Sequence, residues 1–237
     1  MNFEEEKNIA VILMAGKGER FSSSLPKQYV LIGSKELFLY TIEPFLTCPL
    51  IDFLLFVVPS SFENFEKKTE EILLKNNISK EYAVIPGSFS REESSYEAIK
   101  FLKDKKANPS STILFQDGDR PFLEEKTILD NVYSAKQFSA VVTAFPATDS
   151  LALSEDGYTL SSYLPREKIY CLQTPQTFAF SLLDKAFSQA KKPLRDYTDE
   201  GSLVLDALGK KPRVILGKKK NVKITYQEDF AAFEEKI

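Results

Sequence analysis

Residues 9–28 read IAVILMAGKGERFSSSLPKQ. Ile9 to Met14 is an uncharged run of β-branched and aliphatic side chains, the pattern of a strand buried on both faces of a parallel sheet. Then the composition changes. Gly16 and Gly18 permit a tight turn whose backbone N–H groups can approach an anion. Lys17, Arg20 and Lys27 add three positive charges close by. A buried strand running into such a turn fits a triphosphate cradle. The stretch is not a Walker loop, because no Gly-Lys-Ser/Thr follows at the required spacing, and it lacks the third glycine of the dinucleotide fingerprint. From spacing alone, an ordinary strand-to-helix turn with solvated cations fits as well.

Outward from this stretch, strand and helix signals alternate. Ser34 to Phe45 has helical apolar spacing, with Ser34 as N-cap. Ile51 to Val58 is a second buried strand, and Phe62 to Lys75 a charged amphipathic helix. Tyr82 to Ile85 reads as strand, Glu92 to Leu102 as helix and Thr112 to Phe115 as strand. Leu123 to Ala135 reads as a helix opened near Pro121, and Phe138 to Phe145 as strand. The alternation predicts an α/β fold, a doubly wound, mostly parallel, Rossmann-like sheet with helices on both faces. Pro146 to Gln173 breaks the pattern. It is polar, with an alternating piece from Tyr158 to Leu164, and predicts a protruding β-hairpin arm outside the sheet. Val214 to Leu216 is a late strand and Gln227 to Lys236 a closing helix. With no linker and no repeat, 1–237 reads as one domain, with 146–173 as its arm.

A chain of 237 residues is long enough for one full core. Its 43% hydrophobic and 27% charged residues suit a soluble globular protein. The formal net charge of −3 gives no electrostatic case for nucleic acid or an anionic membrane, so a site for a polyanion must gather its cations locally. No apolar run approaches the roughly 20 residues of a membrane span. The acidic Glu4 to Glu6 is unlike the basic start of a signal peptide, so the expected location is the cytoplasm. Cys48 and Cys171 read as reduced thiols, Cys48 in the core. Histidine is absent, which removes histidine-dependent triads and imidazole zinc sites. Catalysis must run on cations, carboxylates, hydroxyls and backbone dipoles, an inventory that suits phosphoryl or nucleotidyl transfer.

In open α/β sheets, ligands sit beyond the carboxyl ends of the strands. Four predicted strands end in distinctive polar groups: Ala15 to Lys27, Gly87 to Ser94 (GSFSREES), Gln116 to Pro121 (QDGDRP) and Thr148 to Ser150. Asp117 is a natural Mg²⁺ donor beside a triphosphate, and equally a turn cap.

The pattern L-x-A-G-x-G-x-R followed by P-K-Q-Y is carried by Leu13, Ala15, Gly16, Gly18, Arg20, Pro26, Lys27, Gln28 and Tyr29. It resembles the signature of nucleotidyltransferases that activate sugar and polyol phosphates, in the branch of the polyol-phosphate cytidylyltransferases. Gly87, Arg91 and Ser94 resemble G-G-x-x-R-x-x-S. Asp117, Gly118, Arg120 and Pro121 resemble H-D-[AG]-x-R-P, and Asp149-Ser150 a D-[TS] pair. Gln173 to Phe178 matches Q-T-P-Q-x-F, Thr198-Asp199-Glu200 matches T-D-[ED], and Asn221 to Asp229 matches N-[IV]-K-[IV]-T-x-x-[ED]-D. The resemblance spans residues 9–233.

The resemblance implies transfer of CMP from CTP to a polyol phosphate, with Mg²⁺ as cofactor and Asp117 as its ligand. It implies that Met14, Ala15, Gly16, Gly18, Gly87, Ser88, Arg91, Ser94 and Gly118 bind the nucleotide, Arg91 alternatively bracing its own loop. Arg20 and Lys27 would offset triphosphate charge. Arg120, Asp149, Ser150, Arg166 and Lys223 would bind the acceptor, with Arg166 and Lys223 orienting its phosphate and Arg166 supplied across a homodimer through the arm. Gln116 and Ser88 depart from the pattern, standing for a histidine and a second glycine. Asp119 replaces a small residue and is expected to be solvated. Ala152 stands where the methylerythritol phosphate enzymes carry a lysine, Lys220 where they carry an acid, and Tyr170 fits the ribitol phosphate enzymes as well. 2-C-methyl-D-erythritol 4-phosphate is the favoured acceptor because that reaction is widespread, and ribitol 5-phosphate is the alternative. A non-catalytic nucleotide-binding protein is a further alternative. Lys27, read as a loop cation, is expected to be dispensable for folding.

Overall fold

The structure is a computed structural model and describes residues 2–16, 25–60 and 64–234. The strands are β1 (Asn8–Leu13), β2 (Leu31–Ile32), β3 (Lys35–Glu36), β4 (Phe53–Val58), β5 (Tyr82–Pro86), β6 (Thr112–Asp117), β7 (Ala140–Pro146), β8 (Ala152–Leu153), β9 (Ser162–Tyr163), β10 (Tyr170–Ala179) and β11 (Arg213–Leu216). The helices are α1 (Leu37–Thr47), α2 (Phe65–Lys75), α3 (Arg91–Asp104), α4 (Glu125–Phe138), α5 (Phe180–Ser188), α6 (Glu200–Leu208) and α7 (Gln227–Glu234). Seven strands form one sheet in the order β11-β7-β10-β6-β1-β4-β5. All neighbours are parallel except β10, which runs antiparallel to both β6 and β7.

The uncharged runs are central strands because both of their faces are covered. Ile9, Val11 and Leu13 of β1 join Phe53, Leu55 and Val57 of β4 in a core shared with Ala98, Ile99 and Leu102 of α3, Leu183 of α5 and Leu203 of α6. The alternate residues Ala10, Ile12, Leu54, Phe56 and Val58 pack against Phe38 and Ile42 of α1, Leu73 of α2 and Ile128 and Val132 of α4. Such double coverage is what makes a strand read as continuous rather than alternating. Cys48 lies fully buried in the second core.

Several boundaries differ from the sequence reading. Ser34 is not an N-cap. It lies with Gly33 (φ 60°) in the turn that pairs Ile32 with Lys35, and α1 starts after Glu36. Helix α4 begins at Glu125 rather than Leu123, because Arg120 is anchored on Asp117 and the chain must first leave that site. The largest revision is β10. Residues 170–173 were expected in the arm, yet Tyr170, Cys171 and Leu172 pair with Pro146, Phe145 and Ala144 of the main sheet. The register shifts between Leu172 and Gln176, around the cis Thr174–Pro175 bond, and resumes against β6 and β7. The hairpin outside the sheet is therefore 147–169. Ala152–Leu153 and Ser162–Tyr163 form its one regular strand pair, extended by backbone bonds from Leu164 N to Leu151 O and from Ala147 N to Ile169 O, each 2.9 Å. The expected limb at Tyr158 is a turn, where the Tyr158 and Thr159 N–H groups donate to Asp156 Oδ1, each at 2.8 Å.

Candidate active site

Met14, Gly87 and Gly118 are tied to neighbouring strands at the carboxyl edge. The Met14 N–H donates to Val57 O at 2.8 Å, Gly87 N to Val58 O at 2.7 Å and Gly118 N to Leu13 O at 2.9 Å. Two glycines are required by close approach. A Cβ at Gly87 would lie 2.5 Å from the Ala15 Cβ, and one at Gly118 would lie 2.8 Å from the Met14 Cγ.

A cleft of about 510 Å³ opens here, lined by residues that include Ala15, Gly16, Lys27, Ser88, Arg91, Ser94, Asp117 and Lys223. A second cleft of about 290 Å³ is lined by residues that include Arg120, Asp149, Leu172, Lys219 and Lys223. Lys223 is common to both.

Asp117 is the hub. Arg91 Nε donates to its Oδ1 at 3.2 Å, while Arg120 Nε at 3.2 Å and Lys223 Nζ at 3.1 Å reach its Oδ2. Burial would raise its pKa, but Lys223, Arg91 and Arg120 outweigh that and hold it well below the usual carboxylate range. Burial would likewise lower the pKa of Lys223, yet Asp117 and Asp119 raise it. Asp119 is not solvated as expected. It is 3% exposed and accepts an ion pair from Lys27 Nζ at 2.8 Å. A charge that deep requires a partner, and Lys27, itself 6% exposed, is that partner. Lys27 Nζ also donates to Ile224 O at 2.6 Å.

Arg91 lines the larger cleft and is held by carboxylates from outside its own loop as well as by its neighbour Glu92. Its Nη1 donates to Glu200 Oε1 at 2.9 Å and to Glu92 Oε1 at 3.3 Å. The Ser94 hydroxyl is spent on its own loop, donating to Ser90 O at 2.7 Å and accepting from Ser88 N at 3.0 Å.

Sequence reasoning missed how the two glutamines of Gln173-Thr174-Pro175-Gln176 assemble this hub. Gln173 Nε2 donates to Asn221 O at 3.1 Å, and Asn221 Nδ2 donates to Thr174 O at 2.9 Å, which docks the Lys223 loop beside Asp117. Gln176 Nε2 donates to Asp199 Oδ2 at 2.8 Å and its Oε1 accepts from Gly201 N at 3.1 Å, which sets α6 and hence Glu200 against Arg91. Glu200 was visible only as part of a motif, and Lys219 only as part of a basic run.

Some expected site residues are not brought together. Gly18 and Arg20, with Lys17, lie outside the described residues. Asp149 lines the second cleft, but Ser150 is not among its lining residues. Arg166 lines neither cleft and donates to Thr148 O at 3.1 Å.

Burial pushes the Glu92 carboxyl up from 4.5 to about 7, although Arg91 opposes the shift. The folded chain therefore favours protonated Glu92. Its stability contribution is complete below 4.5 and is lost as pH rises through about 7. Glu92→Gln is expected to flatten the fall in melting temperature across that window. Thermal melts on either side of it make the test, and an unchanged slope would place the titration elsewhere.

A family model described as IspD, 2-C-methyl-D-erythritol 4-phosphate cytidylyltransferase, matches residues 8–237. The 2-C-methyl-D-erythritol 4-phosphate cytidylyltransferase of Thermosipho africanus is 40% identical over 222 residues, covering 93% of this chain and 94% of that protein. The protein of the same name from Petrotoga mobilis is 34% identical, covering 93% and 94%. The crystal structure of 4-diphosphocytidyl-2C-methyl-D-erythritol synthase from Anaerococcus prevotii matches with a TM-score of 0.78 at 25% identity, covering 97% of this chain and 96% of that one.

Proposed function

Because the chain belongs to the 2-C-methyl-D-erythritol 4-phosphate cytidylyltransferase family, we propose that its two clefts divide the reaction, CTP in the larger and the polyol phosphate in the smaller. The enzyme transfers CMP from CTP to 2-C-methyl-D-erythritol 4-phosphate. An oxygen of the acceptor phosphate attacks the α-phosphorus, the bond to the β-phosphate breaks, and pyrophosphate leaves. The observation that carries the assignment is Lys223, whose ammonium rests on Asp117 and which lines both clefts. That is where the attacking oxygen and the α-phosphate must meet.

Within this reading, Ala15, Gly16 and Ser88 line the nucleotide's cleft, and Gly87 and Gly118, which line neither cleft, fix that wall from behind by close packing. Lys27 offsets triphosphate charge, together with Arg20. Lys223 and Arg120 orient the acceptor phosphate, a positioning that lowers the barrier without bond chemistry by the protein. Asp149 accepts acceptor hydroxyls. Arg91 acts through Asp117, holding its carboxylate.

Mg²⁺ fits the donor chemistry. Asp117 and Asp119 both line the larger cleft, and Mg²⁺ typically takes one or two carboxylates plus phosphate oxygens. Among the described residues no group of three metal-type side chains forms a cage, so Asp117 would hold the ion as the triphosphate brings it. When bound, it would neutralise charge on the triphosphate and the departing pyrophosphate.

We further propose one domain over 1–237, in the cytoplasm, acting as a homodimer. The arm carries Tyr158, Leu160 and Tyr163, exposed by 95%, 62% and 76%. Covering them with a second copy would also give Arg166, which in its own chain donates only to the Thr148 carbonyl among the described residues, a partner's acceptor cleft to enter. No described helix is long and apolar enough to cross a membrane.

The test is pyrophosphate release from CTP and Mg²⁺ with 2-C-methyl-D-erythritol 4-phosphate, ribitol 5-phosphate or glycerol phosphate as acceptor. Release is expected to be fastest with the first. Silence with all three would overturn the division of the clefts.

A further inference from the structure

The charges at the hub are largely matched. Lys27, Arg91, Arg120 and Lys223 face the carboxylates of Asp117, Asp119 and Glu200, and Glu92 adds a fourth negative charge as it ionises near pH 7. A phosphate dianion arriving through the smaller cleft therefore meets cations whose fields carboxylates largely cancel, and it needs a positive charge that is not spent.

The basic run Lys218-Lys219-Lys220 supplies one. Lys218 Nζ pairs with Glu124 Oε2 at 2.6 Å, and Lys220 pairs with Glu124 Oε1. The flanking lysines are thus drawn to one carboxylate at the start of α4. Lys219 lies between them, lines the smaller cleft, and has no ion pair among the described residues. Gln173 Nε2 holds the Lys218 carbonyl at 2.9 Å and the Asn221 carbonyl at 3.1 Å, so the backbone on both sides of Lys219 is fixed. Lys219 shares the cleft with Asp149, which is likewise unpaired among the described residues. One free anion and one free cation in a cleft next to the reaction centre suit a ligand with hydroxyls at one end and a phosphate at the other.

We infer that Lys219 is a specificity-determining residue of the acceptor site, its ammonium recognising the phosphate of the incoming polyol phosphate. This rests on the reading of the smaller cleft as the acceptor site. The Glu124 clamp is part of the device, because it commits the two neighbouring lysines and leaves Lys219 as the lysine of the run with no ion pair among the described residues. The acceptor's anionic group is thereby selected at entry, before Lys223 orients it.

The test is steady-state kinetics of the full chain with 2-C-methyl-D-erythritol 4-phosphate and CTP varied in turn. Lys219→Ala is expected to raise KM for the acceptor about tenfold, the scale of one lost charge-assisted contact. The KM for CTP should stay within about twofold and kcat nearly unchanged, as for uniform binding. Lys219→Arg should restore most of the acceptor affinity. Added salt should weaken acceptor binding in the wild type more than in Lys219→Ala. Lys211→Ala, which removes a charge lining neither cleft, is the control and should match the wild type. An unchanged acceptor KM in Lys219→Ala would overturn the assignment, as would equal rises in both KM values. A wild type that released no pyrophosphate with any acceptor would instead overturn the reading of the cleft itself, and the Lys219 assignment with it.

Discussion

Lys27→Met is expected to lower kcat by about 10²- to 10³-fold, the cost of removing one positioned charge from a developing anion. It is also expected to destabilise the fold by up to about 3–5 kcal/mol, because it leaves the buried carboxylate of Asp119 with only the longer 3.9 Å contact to Lys223 Nζ. The sequence reading placed Lys27 on a loop and foresaw no loss of fold. Burial of both partners changes that expectation. The two effects separate in the double variant Lys27→Met/Asp119→Asn, which restores electrical balance without restoring the cation. Urea unfolding should recover much of the lost stability while turnover stays low. Recovery of turnover in the double variant would show that Lys27 acts only as the counter-ion of Asp119.

Asp117→Asn is expected to be the most damaging single change for activity, lowering kcat by about 10³-fold through loss of the proposed metal donor and of the hub that orients Lys223 and Arg120. The same substitution removes one negative charge beside the triphosphate. Three cations that now share a carboxylate, Arg91, Arg120 and Lys223, would face the cleft uncompensated. Metal-free CTP should therefore bind more tightly to Asp117→Asn than to the wild type, even as turnover collapses. Titration calorimetry without divalent ions reads the first effect and pyrophosphate release the second. Weaker metal-free binding would mean that Asp117 organises the nucleotide wall rather than balancing its charge.

The central strands were legible because double burial writes itself as unbroken apolar runs, as at Ile9 to Leu13 and Phe53 to Val58. Strand-end loops were legible for the same reason, since a polar break must follow. β10 was not. Its register shift at 173–175 places Pro175 mid-strand, a residue that ordinarily argues against a central strand. The partners of its polar residues lie far away in sequence: Gln173 Nε2 donates to the 218–221 loop, Thr174 O accepts from Asn221 and Gln176 Nε2 donates to Asp199. The burial of Asp119 depends on Lys27, 92 positions away, and no local pattern announces such a pair. Helices α5 and α6 went unread in the sequence, although Phe180, Leu183 and Phe187 repeat at helical spacing, because their packing with α3 comes only with the fold. For the site, the motifs identified many of the residues at the hub but not the order of support, in which Gln176 sets Glu200, Glu200 holds Arg91, and Arg91 holds Asp117.

The placement of β10 has a consequence for synthesis on the ribosome. Strand β7 reaches the rest of the sheet only through β10, which is translated some thirty residues later. Until then the nascent chain carries β6 and β7 as open edges, each with unpaired backbone donors and apolar side chains. The N-terminal half can settle early, but closure must await β10, and Glu200, β11 and Lys223, which β10 helps to dock, follow later still, so the hub is completed after the sheet's central seam has closed.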